Sequence, residues 1–86
     1  MIYTFYKDEE GYEKWLLNNT SGFVFNHFGT AEMNKMHQAN CYTLHTPKHK
    51  GARTNYEKVC SKNYLELEQE ANKITMNEWS RCKACF

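Results

Sequence analysis

Eighty-six residues allow one domain, spanning 1–86, and a chain this short buries only ~60% of the surface its unfolded form exposes, so a covalent or metal staple would add much to a small core. No stretch approaches the roughly 20 apolar residues of a membrane helix, and the run Met1–Tyr6 is followed by Asp8, Glu9 and Glu10 instead of a small-residue cleavage site, so the chain reads as a cytoplasmic protein with no membrane partner. The net charge of +1 hides an uneven distribution: residues 33–62 hold six basic side chains against the single acid Glu57, whereas acids outnumber bases on both sides.

In chain order, Asp8, Glu9 and Glu10 open a predicted helix to about Asn18, with acids in its first turn and Tyr12, Trp15 and Leu16 at three- and four-residue spacing. The Asn18–Gly22 stretch stops it. Phe23–Phe28 reads as a strand with Phe23, Phe25 and His27 on one face, and Lys35–Thr46 as a second strand. A polar loop follows over 46–55, broken by Pro47 and Gly51, and Tyr56–Cys60 returns as a third strand. Ser61 is the expected cap of a second helix carrying Tyr64, Leu65, Leu67 and Ala71, after which Ile74–Trp79 leads to the chain's last residues. The expected fold is α+β: a small antiparallel sheet of about three strands with two helices, closed by a terminal knuckle.

That knuckle is Cys82-Lys83-Ala84-Cys85, and Cys41 and Cys60 are the only other cysteines. Four thiols with one Cys-x-x-Cys pair match the ligand count and part of the spacing of a tetrahedral structural zinc site. Metal is preferred over disulfides because disulfides are rare in the cytosol. A hairpin centred on Lys50 and Gly51 would set Cys41 opposite Cys60, where opposed Cβ atoms lie roughly 5 Å apart. The predicted ligands are therefore Cys41, Cys60, Cys82 and Cys85. His37 is the second choice, since His-x-x-x-Cys on a regular strand separates the two by about 13 Å and brings them together only on a helix or a sharp bend. A redox role for Cys82 and Cys85 lacks the helix-opening βαβ context of such pairs. Cys41 and Cys60 also suit a small apolar core position.

Within the basic segment, Lys48, Lys50, Arg53 and Lys58 are candidate phosphate contacts, and Tyr42 and Tyr56 are candidate stacking platforms for unpaired bases. Catalysis has little support: no phosphate-binding glycine loop or nucleophile elbow is present, and His27 sits on an apolar strand face, so the chain is read as a non-enzyme. Taken together, Gly22-Phe23-Val24-Phe25-Asn26, Met36-His37-x-x-x-Cys41, Lys58-Val59-Cys60-Ser61 and Cys82-x-x-Cys85 resemble a small prokaryotic domain that ends in a Cys-x-x-Cys knuckle. Domains of that kind accompany nuclease or restriction-type proteins, and the resemblance implies a nucleic-acid context. The expectation is a zinc-stabilised nucleic-acid-binding domain. The alternative is a protein-interaction module, an inhibitor or adaptor, that uses the acidic first helix, Glu9 and Glu13 included, and exposed aromatics.

Overall fold

Alternation along two central strands divides the molecule into two cores. The computed structural model describes residues 1–86, with strands β1 (Tyr3–Phe5), β2 (Phe23–His27), β3 (Lys35–Gln38), β4 (Glu57–Ser61) and β5 (Ser80–Arg81), and helices α1 (Glu9–Asn18) and α2 (Tyr64–Thr75). Short 3-10 turns at Tyr42–Leu44, Pro47–His49 and Arg53–Asn55 fill the connection between β3 and β4. The strands form one mixed sheet in the order β1-β4-β2-β3-β5, antiparallel except for the parallel β3–β5 pair. The α+β class is as expected, with five strands in place of three.

Successive strand residues point to opposite faces. On one face Phe25, Met36 and Val59 pack under Leu67 and Ala71 of α2. On the other Val24 and Cys60 pack under Tyr12, Trp15 and Leu16 of α1, together with Ala39, Cys41 and Leu44. Each fully buried large apolar side chain contributes about 1.5–3 kcal/mol, so both layers are needed in so short a chain.

The helix ends follow local chemistry. Asp8 caps α1 by accepting from the Gly11 N–H, and Asn63 caps α2 by accepting from the Glu66 N–H. Ser61, the expected cap, instead belongs to β4 and braces that turn: its hydroxyl accepts from Asn63 N–H and donates to Glu66. Of the apolar residues noted on α2, Leu65 lies on the solvent side while Leu67 and Ala71 are buried. Gly22 allows the chain to pass from α1 into β2, because a Cβ there would come within 2.9 Å of the Trp15 ring and 3.2 Å of two backbone oxygens.

The hairpin expected to join Cys41 to Cys60 does not form. Strand β3 ends at Gln38, and β4 pairs with β1 and β2, so β2 separates the two elements that were to be neighbours. No helix is long and apolar enough to cross a membrane.

Candidate metal centre and adjoining cleft

The end of β3 builds one half of a four-donor cluster. Register with β2 sets His37 opposite Val24, on the α1 face. The strand then stops: Ala39 N–H donates to Gly22 O, and Cys41 N–H donates back to Gln38 O, closing a tight turn at Ala39 and Asn40. This is the sharp bend that a His-x-x-x-Cys pair requires. It returns Cys41 beneath His37, and both are buried.

The other half comes from the last strand. β5 runs parallel to β3, with Met36 opposite Arg81, and Cys82 N–H extends the ladder by donating to Met36 O at 2.8 Å. Cys82 O then accepts from the N–H groups of Cys85 and Phe86, so Cys82–Cys85 forms a compact turn. Gln38 fixes that turn twice, its N–H donating to Cys85 Sγ at 3.3 Å and its side-chain amide to Cys85 O at 2.6 Å.

The donor atoms of His37, Cys41, Cys82 and Cys85 all lie within 4.8 Å of one another, and Cys41 Sγ is 4.0 Å from Cys82 Sγ. A tetrahedral zinc with bonds of about 2.3 Å sets sulfurs about 3.8 Å apart, so the cluster matches this size with small inward shifts. Thr43 supports it from outside, its hydroxyl 3.0 Å from Cys41 Sγ and 3.4 Å from His37 Nδ1.

Protonation is consistent with a cation-seeking site. Burial pushes His37 down to about 4, with the Lys58 and Lys35 ammoniums acting the same way, so its imidazole is neutral and free to ligate near pH 7. Burial opposes ionisation of Cys41, but hydrogen bonds from Thr43, Cys85 and Cys82 outweigh it and hold the thiol below its usual range. Cys85 is pushed up to about 12, first by burial and then by the neighbouring Cys41 and Cys82 thiols. The Cys41 thiolate is thus favoured while that of Cys85 is opposed, and a divalent cation would reverse that opposition.

Cys60, the expected fourth ligand, belongs to the core. Paired with Val24 and Tyr3 across the sheet, it is completely buried in the layer under α1, and burial raises its thiol to about 12, against the opposing influence of Lys58. His37 takes the place assigned to it.

Beside the metal cluster, on the same face, lies a cleft of about 490 Å³. Its floor is one row of the sheet: Asn26 stands opposite both Lys58 and Lys35, and His37 follows on β3. The 3-10 turns wall it through Leu44, His49 and Arg53, and Phe28 and Tyr56 form a stacked pair at its rim, with centroids 4.0 Å apart. None of its lining side chains is a carboxylate. Lys58 is buried and donates to Asn26 Oδ1 at 2.7 Å; burial lowers its ammonium to about 8.

The six candidate nucleic-acid contacts are therefore scattered. Lys48, Lys50 and Tyr42 are exposed on the long connection, Tyr56 is at the cleft rim, and Lys58 is inside the cleft. Arg53 is mostly committed elsewhere: its guanidinium donates to Glu13 at 2.9 Å and to Thr46 O at 3.2 Å. Glu9 accepts from the N–H groups of Gly51 and Thr54. The acids of α1 thus hold down the basic connection, Glu9 half-buried and Glu13 still partly exposed. Lys35, Asn26 and Tyr12 were missed as site residues. Asn26 and His37 each fell within a short motif, but nothing in the sequence joined them to Lys35 and Lys58; the strand register does.

No protein-family model, curated protein or solved structure matches this chain.

Proposed function

We propose that this is a zinc-stapled α+β domain that binds nucleic acid, with His37, Cys41, Cys82 and Cys85 as the zinc ligands and no catalytic role. The reading is carried by the convergence of four soft donors from two distant segments at tetrahedral spacing. Four protein ligands leave no open coordination position, so zinc there would fix structure and would not activate water. It would tie β5 and the knuckle to β3, contributing folding free energy directly.

The nucleic-acid part is supported by the carboxylate-free basic cleft, the stacked Phe28–Tyr56 pair, and the exposed Lys48, Lys50 and Tyr42 on the connection above. Lysines neutralise phosphates and release counterions, and aromatic faces accept unpaired bases. A fluorescence titration with single-stranded oligonucleotides across a salt series is the test. Affinity should fall steeply with salt, and Lys48→Ala/Lys50→Ala should flatten the log–log slope by about 1 to 2. Salt-independent binding, or none at low salt, would remove the nucleic-acid part and leave the zinc staple standing.

A further inference from the structure

Residues that line the cleft carry polar atoms that the fold leaves without partners. Tyr12 is completely buried and lines the cleft, yet its hydroxyl has no hydrogen-bond partner; the same is true of Arg53 Nε. A buried hydroxyl without a partner costs stability, so its retention needs an account. The Lys58 ammonium carries three donors and uses one, on Asn26 Oδ1. Tyr12, Arg53 and Lys58 come from α1, the last 3-10 turn and β4 and all line the cleft; the Tyr12 hydroxyl and Arg53 Nε lie just beneath its surface, so a ligand reaches them with a small side-chain shift.

We infer that the cleft is a binding pocket for a nucleotide, its phosphate held by Lys58 Nζ, the Tyr12 hydroxyl and Arg53 Nε, and its base laid on the Phe28–Tyr56 pair. The chemistry fits on three counts. The donors are of the kind that grip an anion, two of them on charged groups, where hydrogen bonds are strongest. No carboxylate lines the cleft itself, and Glu9 and Glu13 are paired with the Arg53 guanidinium. The volume of about 490 Å³ lies within the range that encloses small ligands, and a rim of stacked rings offers a planar group a face. The nucleotide is either free or the phosphorylated end of a strand. The inference rests on the nucleic-acid reading only for the second source.

The test is isothermal titration calorimetry on the metal-replete chain with the ribonucleoside 5′-monophosphates, the corresponding nucleosides, inorganic phosphate and a 5′-phosphorylated hexanucleotide. Monophosphates should bind at least about tenfold more tightly than either nucleoside or phosphate alone, since each fragment forfeits one set of contacts. Tyr12→Phe keeps the ring and removes only the orphaned hydroxyl, so its thermal midpoint should hold or rise while affinity drops about tenfold. Lys58→Met should weaken binding by at least as much, with circular dichroism confirming the fold. No monophosphate binding, phosphate binding as tightly as the monophosphates, or an unchanged dissociation constant in a folded Tyr12→Phe chain would overturn the pocket. Hexanucleotide binding that depends on Lys48 and Lys50, without monophosphate binding, rejects the pocket and keeps the nucleic-acid reading. Monophosphate binding without hexanucleotide binding does the reverse.

Discussion

The two faces of the sheet are built from alternate residues of the same strands, yet they differ in kind. Under α2, Phe25, Met36, Val59, Leu67 and Ala71 form an apolar layer with Trp79 packed edge-on against Phe25. Under α1, the apolar layer of Tyr12, Trp15, Val24 and Cys60 gives way toward one end to His37, Lys58 and Asn26. The first face obtains its stability from area removed from water. The second carries buried charge and orphaned donors, and has the four-donor cluster at its margin. The apolar layer and the candidate sites are thus divided between the faces of a five-stranded sheet, and a metal at the cluster would compensate the face that carries the polar groups.

Substitutions that separate the two faces differ in size. Cys82→Ser should have the largest effect: loss of bound metal and a chain largely unfolded near room temperature, because zinc sites contribute folding free energy outright; elemental analysis and circular dichroism check it. Leu67→Ala, on the apolar face, should cost about 3 kcal/mol in denaturant unfolding through the cavity it leaves. Metal content should not change. Between pH 6.5 and 4 acid should act first on the His37 side. Its folded value of about 4 lies below the ordinary 6.5, so the unfolded chain takes up the proton first. The His37 contribution is complete above pH 6.5 and falls progressively toward pH 4, and protons competing for His37 and the thiolates should release bound metal over the same range, seen as a thermal midpoint and a metal content that decline together. Cys60→Ala should cost least, about 1 kcal/mol for a small buried group, with metal stoichiometry intact.

Legibility followed the range of the forces involved. α1 was readable because Asp8, the acidic first turn and the Tyr12–Trp15–Leu16 spacing all act within one helical turn. β5 was not: Ser80 and Arg81 have no apolar pattern and become a strand only by pairing with β3. β1 is three residues long with two of them exposed, which leaves no alternation to detect. Three of the four clustered donors followed from counting cysteines. The fourth depended on where β3 stops: the sequence pattern carried the strand to Thr46, but the turn at Ala39 and Asn40 ends it early and brings Cys41 back to His37. Cys60 was misassigned because a two-strand hairpin was assumed where β2 intervenes.

The central claim is that His37, and not Cys60, completes a zinc site with Cys41, Cys82 and Cys85. Metal content by elemental analysis, on the parent chain and on Cys60→Ala and His37→Ala purified side by side without added metal, tests it most directly. One zinc per chain in the parent and in Cys60→Ala, with loss or marked weakening in His37→Ala, is the expected result. A metal-free parent, or a folded Cys60→Ala chain that has lost its zinc, would contradict it.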